Sequence, residues 1–504
     1  MNTLLLMLGM LVTPAWSQDT GLYGDWQLYR VDVPDYPGAL ATSEKGSVLA
    51  EPPDDGTPWR IESVPELDVG SYVSWEALEA LDVSPWHEAG FTGQGVKVAV
   101  FDLQWYGFDL IPEELPGVES HDCWAHEGCT PSMDSLRPRF GSETGVHGLA
   151  CAEVIRDIAP DAELHIVRVN GQTTFENAAA WAVRNEIDVV SMSLSFFSSS
   201  FYDGTGPVAE IAEEMVDGGV LLATSAGNYA ESHWLEDFKD DDNDGLHEFP
   251  WGSEYLPISL GEGAKKIVLE WDQHNNCGDT DFDAYIYAED GRLVGKSIDE
   301  QDGDGCDPVE RVTANADEEG WYYLQVQRVR GDPAVRFGVF ANSGDIYKSM
   351  AEGSIADPGV VPDVLTVGAV RANGYMQNGP ESFSSWGPTN AGVAKPDIAG
   401  PDGLTSSAYG NTGFYGTSAS TPAVAGAIAL VMSREPDIDA FEAADRLRGW
   451  ASTDRHTWEP AAYGMGAGRA RLPDPESEGL GCSRHRPWFF ALLLPLVPLR
   501  RRRS

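Results

Sequence analysis

The stretch that decides the fold is residues 415–431, YGTSASTPAVAGAIALV. Its small and apolar residues carry no charge, which predicts a buried helix over residues 421–432. Pro422 fits the first turn of such a helix, where N–H groups have no intrahelical acceptor. Ser418 would then lie at the helix N-terminus, where free N–H groups and the positive end of the helix dipole favour an anion.

Strand and helix patterns alternate on both sides of this motif. Continuous apolar runs bounded by turns predict buried strands, and longer runs with helical periodicity predict helices between them. We expect strands at residues 97–101, 164–169, 188–194, 220–224 and 364–370, and further helices at 148–158, 175–185 and 208–217. Such alternation predicts an α/β fold with a mainly parallel sheet wrapped by helices.

Residues 231–350 break this alternation. Four aromatic and β-branched segments, separated by Asp/Gly turns, predict an inserted antiparallel β-sandwich: 267–271, 282–288, 321–329 and 335–341. The expected organisation is a signal peptide (1–17), an N-terminal arm or short propeptide (18–75), the first part of the α/β domain (76–230), the sandwich (231–350), the second part of the α/β domain (351–472), and a linker with a C-terminal tail (473–504).

Charge and cysteine content narrow the function classes. The 504 residues carry 33 basic and 80 acidic side chains and a net charge of −47, so binding to nucleic acid through a basic surface is not expected.

The six cysteines suggest one bridge between Cys123 and Cys129 and another between Cys277 and Cys306, with Cys151 unpaired. Two bridges fit an oxidising compartment.

Both ends of the chain resemble targeting segments. Residues 4–12 are apolar, and Ala15-Trp16-Ser17 forms a small-x-small cleavage site, which predicts secretion. At the other end, Cys482 precedes twelve apolar residues and four arginines, a pattern that resembles MYXO-CTERM sorting tails. The resemblance implies transient contact with the membrane, then sorting to the bacterial cell surface. The alternatives are a buried N-terminal helix and a permanent tail anchor.

Four polar residues follow strands or begin helices of the α/β region: Asp102, His147, Asn228 and Ser418. Each alone is ordinary at such a position, but together they supply an acid, a base, an amide donor and a nucleophile. Functional crevices of open α/β sheets lie at the carboxyl ends of the strands. An imidazole activates a serine hydroxyl, a carboxylate orients the imidazole, and an amide stabilises the oxyanion.

The order and flanks of these residues resemble the subtilases, the subtilisin-like serine proteases. The matching stretches are KVAVFD (97–102), GVHGLACAEVI (145–155), DVVSMSLS (188–195), ATSAGN (223–228) and the serine motif quoted above. The resemblance implies a subtilisin-like three-layer fold and a serine endopeptidase, expected as a monomer, that cleaves polypeptides without a cofactor for the chemistry.

Site roles follow from the same resemblance. It implies Ser418 as nucleophile, His147 as general base, Asp102 as its orienting partner and Asn228 in the oxyanion hole. The substrate would pair with the backbone of Ser193, Leu194 and Ser195, and Gly227 would help to line the S1 pocket.

Three departures from the family pattern leave alternatives open. Leu103-Gln104-Trp105 replaces the usual small residue and glycine after Asp102, so Asp109 is an alternative carboxylate. Leu149-Ala150 follows the histidine motif in place of Thr-His, and Ala419-Ser420 follows the serine in place of Met-Ala.

The alternative function is a catalytically silent surface-binding protein. Esterase chemistry is disfavoured because Gly-x-Ser-x-Gly is absent around Ser418.

An acidic loop predicts a calcium site. Asp240, Asp242 and Asp244 alternate before Gly245, as in loops that wrap Ca²⁺. Trp251 stands where an EF-hand needs glutamate, so the loop is not of that type. Its alternative is a solvated acidic loop without an ion.

Overall fold

The computed structural model describes residues 72–108, 111–125, 128–133, 145–301, 307–332, 334–342, 344–452 and 468–476, together with the backbone of three N-terminal strands. Those strands form a sheet of order β1-β3-β2, with bounds Gln27–Val31 (β1), Ala41–Thr42 (β2) and Ser47–Glu51 (β3). The expected signal segment, the sorting tail and Asp109 lie outside the described residues.

An eight-stranded sheet forms the centre of the α/β part, in the order β20-β19-β9-β8-β4-β7-β5-β6. Its strands are parallel except for β6, which pairs antiparallel with β5. The bounds are Lys97–Asp102 (β4), Glu119–Ala125 (β5), Gly128–Pro131 (β6), Glu163–Arg168 (β7), Val189–Met192 (β8), Leu221–Ser225 (β9), Leu365–Arg371 (β19) and Ile398–Asp402 (β20).

Helices cover both faces of this sheet. Alternate residues of β4 show the division: Val98 and Val100 lie in one hydrophobic core with α3 and α6, whereas Ala99 and Phe101 lie in a second core with α4 and α5. This alternation follows from the two-residue repeat of a strand. The helices are Trp75–Leu81 (α1), Ser84–Glu88 (α2), His147–Ile158 (α3), Gln172–Arg184 (α4), Pro207–Asp217 (α5), Thr417–Arg434 (α6) and Ala440–Trp450 (α7).

Two element ends differ from the sequence prediction in ways that matter for the site. Helix α6 begins at Thr417, four residues earlier than predicted, so Ser418 lies inside its first turn. The predicted strand 188–194 ends at Met192, and the chain runs on past the sheet without regular secondary structure. A short hairpin, Leu404–Ser406 (β21) and Gly410–Phe414 (β22), precedes α6.

The inserted region forms two antiparallel sheets. One has the order β10-β17-β12-β15 and the other β14-β13-β16-β11-β18, with a shared aliphatic and aromatic core between them. The strands are His233–Asp237 (β10), Leu256–Leu260 (β11), Gly263–Trp271 (β12), Asp281–Ala288 (β13), Leu293–Ser297 (β14), Val309–Ala316 (β15), Gly320–Arg330 (β16), Arg336–Ala341 (β17) and Gly344–Ile346 (β18). The predicted α/β class with an antiparallel sandwich is confirmed.

An aromatic cluster packs the sandwich against the α/β part. The Phe340 ring of β17 lies 5.1 Å from that of Tyr202 and 5.6 Å from that of Tyr229, edge-to-face in both cases. Ala226, just after β9, belongs to the same buried cluster. The sandwich therefore supports the segment that leads to Asn228.

Within the described part of the chain, no helix combines the length and the apolar character needed to cross a membrane.

Candidate active site

Asp102 and His147 form a short hydrogen bond at the carboxyl end of β4. His147 Nδ1 lies 2.6 Å from Asp102 Oδ2. The Asp102 side chain is 1% exposed and that of His147 is 22% exposed, so the carboxylate is shielded while the imidazole reaches the surface. The bond fixes the ring orientation and directs Nδ1 towards the carboxylate.

The pKa of His147 is set by two opposing effects. Burial lowers the pKa of the imidazole, but the charge and the hydrogen bond of Asp102 outweigh burial and leave the pKa above its ordinary value of 6.5. The ring therefore holds a proton more readily than a free histidine, as a general base requires when it accepts a proton in the transition state.

The residues after Asp102 hold its carboxylate and backbone. The Gln104 N–H donates to Asp102 Oδ1 at 2.9 Å, and the Trp105 indole N–H donates to the Asp102 carbonyl at 2.8 Å. Gly148, next to His147, lets the helix approach: a Cβ there would lie 2.7 Å from Asp102 Cβ. The unusual Leu-Gln-Trp sequence is thus part of the support of Asp102.

Ser418 lies half-buried in the first turn of α6. Its carbonyl oxygen accepts from the Ser193 hydroxyl at 3.1 Å and lies 3.6 Å from the Cys151 thiol. Cys151 is one helical turn after His147 in α3, so this contact joins the histidine helix to the serine helix. Among the described residues, the Ser418 hydroxyl makes no hydrogen bond to His147, and such bonds are often long in unliganded sites.

Asn228 is exposed beside Ser418, and its carboxamide is oriented by Thr417. Its Oδ1 accepts from the Thr417 N–H at 3.0 Å and from the Thr417 hydroxyl at 3.1 Å. Because the oxygen is engaged, the Nδ2 group remains to donate. Within the described residues Nδ2 has no hydrogen-bond acceptor, so it is available to an oxyanion.

Gly227 lies in a backbone conformation that favours glycine, with φ +100°. A Cβ at this position would lie 2.6 Å from the Tyr229 ring and 3.1 Å from the Ser385 hydroxyl. The Gly227 N–H donates to Thr417 Oγ1 at 3.2 Å. This segment is therefore bonded to the start of α6 and leaves no room for a side chain.

A buried carboxyl group supports the N-terminus of α6. Asp402 Oδ2 accepts from the Gly416 N–H at 3.0 Å, directly before Thr417. Burial, with the neighbouring charge of Glu381, raises the pKa of Asp402 to about 7, against the opposing effects of the Gly416 hydrogen bond and Arg371.

The segment Ser193, Leu194 and Ser195 follows β8 at the carboxyl end of that strand. None of its main-chain groups makes a backbone hydrogen bond within the described residues. A free row of N–H and C=O groups is the feature that pairs with an extended peptide. Ser193 also contacts Ser418, so such a peptide would lie beside the hydroxyl.

Among the described cysteines, the disulfide-bonded residues and the free residue are those predicted from the sequence. A disulfide joins Cys123 and Cys129. Cys277 is disulfide-bonded, and Cys306 lies outside the described residues. Cys151 is free and buried, and burial raises the pKa of its thiol well above the ordinary value.

The acidic loop brings together the three predicted carboxylates. Oxygens of Asp240, Asp242 and Asp244 all lie within 4.8 Å of one another, a donor set that suits Ca²⁺. Asp240, however, already accepts from the N–H groups of Asp244 and Gly245 and pairs with Arg328 at 3.2 Å. Asp244 Oδ1 also accepts from the Leu246 N–H at 2.9 Å, so the fit to a cation rests mainly on Asp242 and on the second oxygen of Asp244.

Sequence reasoning missed three supports of the site: Gln104 at Asp102, Thr417 at Asn228 and Asp402 at Gly416. Thr417 stands inside the quoted serine motif, and its position before the serine was the available signal. The departure from the family pattern after Asp102 was the signal for Gln104, and nothing local in the sequence marks Asp402.

The sheet order, the helical layers and the Asp102–His147 pair at a strand end define a subtilisin-like α/β fold. The solved structure of the Clostridium perfringens CspB protease shares it, with a TM-score of 0.56 at 14% identity, covering 80% of this chain and 98% of that one. At this identity the likeness concerns the fold.

The family follows from the sequence match. The model of the subtilase family, peptidase S8, matches residues 135–248 and 287–466, more than half of the chain. The chain belongs to the subtilase family.

Individual relatives match over shorter stretches. The serine protease AprX of Bacillus subtilis is 33% identical over 180 residues, which cover 30% of this chain and 40% of AprX. Subtilisin E of the same organism is 33% identical over 158 residues, covering 29% of this chain and 38% of subtilisin E. The chain thus spans about two-fifths of the length of these curated relatives.

Proposed function

We propose that this chain is a serine endopeptidase that hydrolyses peptide bonds in polypeptides through an acyl-enzyme on Ser418. The observation that carries the proposal is the 2.6 Å hydrogen bond between His147 and Asp102, beside the helix N-terminus that contains Ser418. Membership of the subtilase family supports it.

The steps follow from the residues. His147 takes the proton of the Ser418 hydroxyl as the oxygen attacks the scissile carbonyl, and Asp102 stabilises the imidazolium that forms. The oxyanion receives hydrogen bonds from Asn228 Nδ2 and the Ser418 N–H. His147 then protonates the leaving amine, and water, activated by the same imidazole, releases the acyl group. Ser193–Ser195 hold the substrate backbone, and Gly227 keeps the S1 region open.

The test is digestion of an unfolded polypeptide, with the new N-termini identified by mass spectrometry. The proposal predicts internal cleavage by the wild-type chain and none by Ser418→Ala. Intact substrate with both proteins would favour the silent surface-binding alternative. Ester hydrolysis without peptide cleavage would indicate a different acyl-transfer function.

We further propose secretion with sorting to the cell surface, based on the two terminal sequence segments. The test is the mass and location of the mature chain in the source cells. Loss of residues at both ends and recovery from the cell surface are expected. A full-length cytoplasmic chain would contradict this.

We also propose a structural Ca²⁺ bound by Asp242 and Asp244, with Asp240 supplying an oxygen beside Arg328. The expected result is a higher Tm in Ca²⁺ than in chelator, lost in the variant Asp242→Ala/Asp244→Ala. Asp241→Ala is the matched control, because Asp241 pairs with Lys239 at 2.8 Å and lies in the same loop. An equal Tm with and without Ca²⁺ would show a solvated acidic loop.

A further inference from the structure

A second cluster of chemically reactive side chains lies on the sheet face opposite Asp102. Glu119 and His121 project from one face of β5, and His165 projects from the same face of the neighbouring β7, because residues two apart share a face. The parallel register places Glu119 opposite His165. The Trp181 ring of α4 covers the cluster, at 4.4 Å from the His121 ring and 5.6 Å from the His165 ring.

The ligating atoms of these three side chains converge. His121 Nε2 lies 3.3 Å from His165 Nδ1, and Glu119 Oε2 lies 3.7 Å from the same nitrogen. All three atoms lie within 4.8 Å of one another. Two nitrogens that share a tetrahedral ion at about 2.0–2.1 Å are separated by roughly 3.3 Å, so the imidazole pair is already at that spacing.

The other ring nitrogen of His165 has a partner that sets its tautomer. His165 Nε2 lies 3.1 Å from Glu163 Oε1. An ionised carboxylate only accepts hydrogen bonds, so Nε2 carries the hydrogen and Nδ1 presents a lone pair towards His121 and Glu119. A carboxylate that orients a histidine in this way is the usual second partner of a metal-binding imidazole.

We propose that Glu119, His121 and His165 form a binding site for one divalent transition-metal ion of the zinc type, with Glu163 as a positioning residue. Two imidazoles and one carboxylate leave a fourth position for water. The Glu119 side chain is 65% exposed and that of Glu163 is 54% exposed, so an ion can enter from solvent. The ion would connect β5, which carries Cys123 of the disulfide, to β7.

The test must separate this site from two other groups that could bind metal, one of which is the acidic loop of Asp240, Asp242 and Asp244. Asp102, His147 and Cys151 also have ligating atoms within 4.8 Å of one another. We would use the full chain carrying Ser418→Ala to prevent self-cleavage, remove metal with a chelator, and titrate with Co²⁺ and then Zn²⁺. Absorption spectra report the ligand type, because a thiolate adds an intense charge-transfer band that imidazole and carboxylate lack.

We expect one tetrahedral Co²⁺ per chain without a thiolate band, displaced by one Zn²⁺. Glu163→Gln removes the outer partner of His165 and should weaken Zn²⁺ binding by about 10-fold, and His121→Gln removes a ligand and should weaken it by more than this. Glu119→Gln also removes a ligand and should weaken binding by more than the roughly 10-fold expected for an outer partner, and its exposed position keeps the test valid if His121→Gln fails to fold. Cys151→Ser and the exposed Glu113→Gln are the controls, and both should bind as the parent does.

Two results would overturn the proposal. One is the absence of a stoichiometric ion at millimolar Zn²⁺, which would show a hydrogen-bonded histidine pair only. The other is binding that is unchanged in Glu119→Gln and His121→Gln but lost in Cys151→Ser, which would place the ion at the active site.

Discussion

Thr417 holds Asn228 by two hydrogen bonds, one from its N–H at 3.0 Å and one from its hydroxyl at 3.1 Å, both to Asn228 Oδ1. The residue before the proposed nucleophile therefore orients the proposed oxyanion donor. The Thr417 hydroxyl also accepts from the Gly227 N–H. One buried side chain therefore positions both Gly227 and Asn228.

Replacing Thr417 should therefore lower kcat while KM changes little. Thr417→Val keeps the shape of the side chain but removes the hydroxyl, which leaves Asn228 with one of its two donors and the Gly227 N–H without its acceptor. We expect kcat to fall by roughly 10-fold, because the neutral hydrogen bond that orients the Asn228 carboxamide is one of the two that are lost. Thr417→Ser retains the hydroxyl and should keep most of the activity. Equal kcat values for the two variants would refute the positioning role.

Asp102→Asn should reduce kcat and move the pH profile. Asparagine cannot balance the imidazolium and favours the wrong tautomer, so kcat should fall by about 10⁴-fold. In the parent, kcat/KM should rise with pH as His147 loses its proton, with a midpoint above 6.5. The midpoint should fall in the variant, because the charge that raises the pKa of His147 is gone. An unchanged midpoint would assign the titration to another group.

Gly148→Ala should disrupt the catalytic geometry. The added methyl group would lie 2.7 Å from Asp102 Cβ and 2.9 Å from the Trp105 ring, so α3 and β4 must separate. Restoring ordinary van der Waals contact at 3.4–4 Å requires a displacement of about 1 Å. Such a displacement should lower kcat/KM by about 100-fold. Gly449→Ala is the matched control in a helix, since its methyl group would meet nothing within 4 Å. Equal rates in both variants would show that the site tolerates the shift.

Asp402→Asn should change how stability depends on pH. An aspartate has a pKa of about 3.9 in the unfolded chain, and that of Asp402 is raised to about 7 in the folded protein. The folded state therefore binds the extra proton, and the free energy of unfolding falls as pH rises from about 4 to about 7. Asparagine can still accept from Gly416 but does not titrate, so this fall should become smaller.

The measurement for Asp402→Asn is urea unfolding at several pH values in the Ser418→Ala background. The difference in unfolding free energy between the variant and its parent should grow in favour of the variant up to about pH 7 and then remain level. A difference that is constant with pH would mean that Asp402 does not titrate in this range.

The sequence was sufficient for features encoded in continuous segments. The apolar run after Ser418 predicted α6, and the alternating strands and helices predicted the parallel sheet. The start of α6 was placed four residues late, because the Gly416–Asp402 bond joins residues from separate elements. Contacts between distant segments, such as Thr417 with Asn228 or His121 with His165, depend on strand order and register, which no local pattern specifies.

Labelling with a fluorophosphonate tests the central claim most directly. The full chain would be treated beside Ser418→Ala and the matched variant Ser420→Ala, with the intact mass measured before and after. An activated serine predicts one adduct on the parent and on Ser420→Ala, and none on Ser418→Ala. Folded parent protein that gains no adduct between pH 6 and pH 9, or a Ser418→Ala variant that still gains one, would contradict the account.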